Sequence, residues 1–414
     1  MTAPPKEAAP EALPPEADDP LAGAPHDRRP GVLGALREVA LGLIGPLLAI
    51  LTALIVGALI IVFTDPTTLE AWGSFFSAPG TALSDSWDLI ATSYRALFDS
   101  SLGSQRALAR TLVQSTPLIL VGLSVALAFK AGMFNIGGAG QLIVGAMAAA
   151  WIGITFDLPQ IVHLPLALVA GIIGGAFWGG IVGFLKARTG AHEVITSIML
   201  NFVALRLLDY ALSTDTFRRP GRSDPISPEM PASVRLPVPI DSFRVHLGFV
   251  LALLVAWGAW WLLQRTTIGF RMRAVGANAK AARYAGMGVA ATTVLSMGIA
   301  GGLAGLGGTT ILLGSTPRLT GGFFASVGFD AIALALLGRA SPIGVVGAGL
   351  LFGALQAGST GMQAQTSTPI DIIFVIQALI ILFVAAPAIV RTVWRVKETR
   401  LGAGQRFSAG WGAQ

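Results

Sequence analysis

Residues 161–185 read IVHLPLALVAGIIGGAFWGGIVGFL, an unbroken run without Asp, Glu, Lys or Arg that ends only at Lys186 and Arg188. About 20 such residues in a helix cross the hydrocarbon core of a bilayer, which is about 30 Å thick. The run is also rich in glycine. In lipid no hydrophobic drive pulls helices together, so small residues that let backbones approach closely are favoured. This segment reads as a membrane-spanning helix packed against others of its kind.

Working outward, comparable runs fall at 40–63, 111–129, 136–156, 194–213, 247–264, 292–313, 328–338, 342–358 and 370–390, about ten in all. The runs at 328–338 and 342–358 are short and Gly-rich, as broken or re-entrant helices are. Composition agrees. The chain of 414 residues is 53% hydrophobic and 12% charged, with 51 glycines, where a soluble domain carries about 25% charged residues. The fold class is therefore an all-α membrane protein with about ten transmembrane helices.

The ends and loops differ from the spans. Residues 1–30 hold eight prolines among alanines and acids, a composition that cannot bury enough apolar surface to order itself. They read as a disordered tail ahead of a membrane domain at 31–392, with a second tail at 393–414. Lys and Arg concentrate in the short loops on one side, at Lys130, Lys186, Arg188, the run from Arg265 to Arg283, Arg339 and the stretch from Arg391 to Arg400. By the positive-inside rule that side is cytoplasmic, and both termini with it. The other side holds two long segments. Residues 64–110 carry scattered aromatics and read as an interfacial helical insertion. Residues 214–246, rich in proline and charge, read as an irregular loop that is either a connector or a docking surface for an external partner.

Catalytic signatures are absent. There is no GxxxxGK[ST] phosphate loop, no HExxH and no GxSxG, and the four histidines are widely spaced. Without cysteine there is no thiolate metal site and no Cys nucleophile. No metal ligand set stands out, no basic stripe with aromatics points to nucleic acid, and nothing predicts ATP hydrolysis by this chain.

The loop 265–291 is the informative segment outside the spans. Asn278 is a good helix N-cap, Ala279 to Ala285 are strong helix formers, and Gly286 stands where a C-terminal glycine belongs. This pattern predicts a short capped helix on the cytoplasmic face, showing Lys280 and Arg283 and offering the small residues Ala281, Ala282 and Ala285. It is an ordinary connector or a helix that seats in a groove of a partner.

Here the residues resemble a known family. RMRAVGANAKAARYAGM (271–287) is similar to the cytoplasmic coupling loop of ABC importer permeases of the ribose and branched-chain amino acid permease superfamily. FKAGMFNIGGAGQLIVGA (129–146), GAHEVITSIMLNFVA (190–204) and GFDAIALALLGRASPIG (328–344) resemble three further segments of that superfamily, in the right order. His192 and Ala139 depart from the commoner Asn and Glu. The resemblance spans residues 40–392 and is nearest to the larger permease of nucleoside importers. It implies a type II importer-like bundle in the bacterial inner membrane. It also implies partners: a second, shorter permease, ATP-binding subunits that hold the ATP and Mg, and an extracytoplasmic substrate-binding lipoprotein. Gly276, Asn278, Ala279, Ala282, Arg283, Ala285 and Gly286 would form the coupling contact with an ATP-binding subunit.

Polar residues inside the spans are functional candidates. Asn135, Gln141, Glu193, Asn201 and Asp330 are candidates for the translocation path or its gate; the alternative for each is helix-to-helix hydrogen bonding, or for Glu193 a simple interfacial charge. Arg206 and Asp209, three apart, can pair locally. Pentoses and branched-chain amino acids are the rival cargos. An ion-coupled secondary transporter would need coupling charges near the midplane and an inverted repeat, and the chain shows few such charges.

Overall fold

Backbone crossing lipid must satisfy its own hydrogen bonds, so apolar runs of this length become helices. The computed structural model describes residues 32–221, 224–240, 243–322, 327–366 and 368–395, with side chains from Ile44 on. Among these residues no strand occurs, only an isolated antiparallel bridge between Ile226 and Thr320. The tail 1–30, and 393–414 beyond residue 395, lie outside the described residues. From Gly45 on, the described residues belong to one compact unit.

The helices run α1 (Val32–Thr64), α2 (Pro66–Gly73), α3 (Pro79–Ser101), α4 (Gln105–Lys130), α5 (Gly138–Thr155), α6 (Gln160–Thr189), α7 (Glu193–Ser213), α8 (Gly248–Arg265), α9 (Thr267–Ala277), α10 (Ala279–Tyr284), α11 (Val289–Thr310), α12 (Val327–Leu337), α13 (Pro342–Thr366), α14 (Asp371–Ala385) and α15 (Pro387–Trp394). Eight helices among the described residues are long and apolar enough to span a membrane, nine if α14 and α15, bent by 89° at their junction, count as one. The expected short helix at 328–338 is α12, with 11 residues. The expected short helix at 342–358 is instead α13, a full 25-residue span. Within its polar end the Ser359 and Thr360 hydroxyls donate back to the Gln356 and Ala357 carbonyls at 2.7 and 3.2 Å.

α4 lies at the heart of the bundle, with 78% of its apolar window buried, whereas α6, α7 and α8 turn most of theirs outward. It packs against α11, α12 and α13. The most extensive helix pairing among the described residues is α6 with α11. There glycine is a steric necessity: a Cβ on Gly305 would stand 2.9 Å from the Gly175 Cα, and one on Gly145 of α5 would press into the Gly305 backbone. Three helices thus meet backbone to backbone, the small-residue mode of membrane packing.

The segment 64–110 forms α2, α3 and the start of α4. α3 lies along α13, and its Tyr94 hydroxyl donates to the Leu54 carbonyl of α1 at 2.6 Å. The loop 214–246 is irregular, as expected, yet held at many points. The Ser227 and Met230 amides donate to the Leu319 and Pro317 carbonyls at 3.0 and 2.8 Å. Buried His163 of α6 contacts the Ser233 hydroxyl at 2.9 Å. Glu229 bridges Arg235 and Arg318, and those two guanidinium groups hold its carboxyl below the ordinary carboxylate range.

Candidate functional site

The sequence FKAGMFNIGGAGQ builds a turn at the end of α4. Gly132 adopts φ +71°, which glycine does without steric cost. The Met133 amide donates to the Ala128 carbonyl and the Gly132 amide to the Phe129 carbonyl, both at 3.0 Å, closing α4 with a Schellman motif. The chain then enters the bundle and starts α5.

Asn135 and Gln141, both fully buried, face each other across this entry. The Asn135 amide nitrogen donates to Gln141 Oε1 at 2.9 Å, and the Gln141 amide nitrogen returns a bond to Asn135 Oδ1 at 3.0 Å. Asn135 also donates to Ser124 Oγ of α4 at 3.2 Å and accepts from the Gly137 amide at 3.1 Å. Asn201 of α7 closes the network. Its Oδ1 accepts from the Gly140 amide at 2.8 Å and its Nδ2 donates to the Ile136 carbonyl at 2.9 Å. Three of the candidate polar residues therefore come together, directed at one another and at the backbone of the 135–141 turn. Trp178 lies against the same turn, its indole N–H without an acceptor among the described residues.

The remaining candidates sit apart. Glu193 opens α7 and accepts from Lys186 Nζ at 2.6 Å, closing the turn from α6. Asp330 of α12 accepts from Gln356 Nε2 of α13 at 3.1 Å. Arg206 and Asp209 pair at 3.1 Å on the exposed side of α7. Sequence reasoning passed over Ser124, Trp178 and Gln356; each meets its neighbours across a helix boundary, which leaves no local signal.

α9 and α10 form an angled pair at the end of the bundle where α4 and α8 finish. Thr266 caps α9 by accepting from the Gly269 amide at 3.0 Å, and Asn278 caps α10 by accepting from the Ala281 amide at 3.0 Å. Gly286, at φ +79°, terminates α10 with a second Schellman motif, the Met287 amide donating to the Ala282 carbonyl and the Gly286 amide to the Arg283 carbonyl, both at 3.0 Å.

Two residues of the expected coupling contact also pack on this chain. Ala282 is 4% exposed, because the inward side of so short a helix must pack on the bundle. Gly276 presses on the end of α4, where a Cβ on Gly132 would stand 2.8 Å from the Gly276 Cα. The outward side of α10 carries Lys280, Ala281, Arg283 and Tyr284, the tyrosine 94% exposed. α9 therefore touches the turn that leads into the amide network, through the Gly276 backbone and through Met272, which packs with Ala131 and Met133.

A bundle with eight or nine helices among the described residues that are long and apolar enough to span a membrane, with buried amides and a capped helical loop at one end, defines a polytopic helical membrane protein. The family described as branched-chain amino acid transport system / permease component matches residues 107–385. This chain belongs to that family. It is 42% identical to the guanosine ABC transporter permease protein NupP of Bacillus subtilis over 73% of this chain and 88% of that protein. It is 37% identical to the nucleoside ABC transporter permease protein NupB of Lactococcus lactis over 72% and 85%. It is 35% identical to the glucose ABC transporter permease protein TsgB13 of Haloferax volcanii over 82% and 86%. No solved structure matches.

Proposed function

We propose that this chain is the membrane-spanning permease subunit of a binding-protein-dependent ABC importer for nucleosides, seated in the bacterial inner membrane. The observation that carries the cargo is the 42% identity to a guanosine permease across most of both chains. Lys and Arg in the short loops orient the end with α9 and α10 toward the cytoplasm, and both termini with it. Separate subunits bind ATP and Mg there, and this chain carries no ATPase site or cofactor of its own. The outward face of α10, around Tyr284, is the contact to an ATP-binding subunit. A second permease, a shorter paralogue, completes the path, and an extracytoplasmic lipoprotein delivers cargo to the opposite end, where the pinned 214–246 loop lies.

Coupling then has a physical route. Closure of the ATP-binding subunits displaces α10 and α9. At Gly276 and Gly132, and through Met272, the displacement reaches the 131–137 turn, and the Asn135, Gln141 and Asn201 network ties that turn to α7. ATP and receptor act by their differential affinity for two arrangements of this assembly. The glucose relative covers more of this chain at lower identity, which makes sugar the competing cargo. Uptake of guanosine against glucose and ribose, by the assembled importer in ATP-loaded vesicles, decides between them.

A further inference from the structure

α12 has 11 residues, which rise about 16 Å, roughly half of the hydrocarbon core. Its last turn leads through Arg339 into α13, on the side that the short-loop Lys and Arg assign to the cytoplasm. Its first turn, with Asp330, therefore stands near mid-membrane. Gln356 lies near the middle of the 25-residue α13, and its amide nitrogen donates to Asp330 Oδ2 at 3.1 Å. Gln356 is the one partner of that carboxylate among the described residues, with no Lys or Arg paired to it there. Both side chains are half-buried, so each keeps an open side.

Beyond Gln356 the open side of α13 continues with Thr360 and Gln363, both exposed. Spacings of four and three residues put all three on one helix face. The glycine side of the same helix points elsewhere: Cβ atoms on Gly358 and Gly361 would meet Leu97 and Ser100 of α3. Polar groups at membrane depth face the bundle interior or a water-filled cavity, not lipid. The stripe thus marks the wall of a path that runs from the outer end of α13 to the Asp330 and Gln356 pair.

The chemistry of that pair is selective. A carboxylate only accepts, through two oxygens with about four lone-pair sites, so the bond from Gln356 leaves room for two parallel donors. Guanine sets two donors side by side, its ring N1–H and its exocyclic amine. Adenine and cytosine place a ring acceptor beside their amino group, where it would face a carboxylate oxygen. Uracil and thymine flank their N–H with carbonyl oxygens, and hypoxanthine keeps the N–H without the amine. We infer that Asp330, held by Gln356, is a specificity-determining residue of the path and receives guanosine through the two donors of its base. This rests on the nucleoside reading above and adds the base that is preferred.

The test uses the assembled importer in ATP-loaded vesicles, with labelled guanosine and labelled inosine. The same receptor serves native and variant importers, so comparing them reads the path. Paired donors on a carboxylate form charge-assisted bonds; Asp330→Asn should lower guanosine uptake about tenfold or more. Inosine uptake should fall by less, since inosine has one of the two donors. Should Asp330→Asn not assemble, Gln356→Leu, which removes the bond that orients the carboxylate, should shift the guanosine-to-inosine ratio in the same direction. Equal losses for the two nucleosides, or undiminished guanosine uptake, would overturn the inference and leave the nucleoside reading in place. A native importer that moves no guanosine would remove that reading and the inference together.

Discussion

Asn135 and Gln141 bond each other, Asn135 also reaches Ser124, and Asn201 bonds the backbone of the turn, so each pins the turn to a helix. The sequence marked all three as polar residues in apolar surroundings but left open whether they meet cargo or neighbours, because the answer depends on partners up to 65 positions away. Replacing Asn201 by leucine strands the Gly140 amide and the Ile136 carbonyl. An orphaned buried partner costs about 1–3 kcal/mol, while one interhelical hydrogen bond in a membrane protein contributes about 0.6 kcal/mol on average. We expect a melting temperature lowered by a few degrees in detergent, and a larger loss of transport than of expression. Glu229 predicts a pH effect. Its folded carboxyl is held low by Arg318 and Arg235, so the stability it lends the loop is complete above the ordinary carboxylate range and is lost as pH falls through the lowered folded value. Limited proteolysis within 214–246 should accelerate on acidification in the native chain, and in Glu229→Gln should be fast already at neutral pH.

At the scale of elements, α10 was legible to within a residue, since Asn278 and Gly286 act through local backbone chemistry. The direction its faces point was not, because Ala282 and Ala285 look alike until the bundle is present. The same limit hid the far end of α13, where Gln363 and Gln365 lower hydropathy without breaking the helix. Ala282→Trp therefore overfills this chain's own packing, at a cost of about 1–3 kcal/mol, and reports on folding more than on docking. Docking is better read at Tyr284. A cysteine there, unique in a chain that has none, should crosslink to the ATP-binding subunit. Gly286→Val should weaken the cap, since φ +79° costs a side-chain-bearing residue about 1–2 kcal/mol. Gly276→Val should separate α9 from the end of α4; transport and transport-linked ATP hydrolysis would fall together while the assembled complex persists. An assembly that hydrolyses ATP and transports normally with Gly276→Val would remove the proposed coupling route.

For the whole molecule, hydropathy and charge placement gave the class of protein, because lipid leaves the backbone few choices. The count of spans was less exact, since α12 is too short to cross and the α14–α15 pair bends by 89°. The nucleoside reading itself rests on likeness across most of the chain, not on any single residue. The most direct measurement is uptake of labelled guanosine, ribose, leucine and glucose into vesicles holding this chain with its second permease, ATP-binding subunits and receptor. Guanosine should accumulate, only with ATP and only when the ATP-binding subunits are present. Accumulation of a sugar or of leucine with guanosine excluded, or guanosine uptake by this chain without ATP, would contradict a nucleoside importer permease.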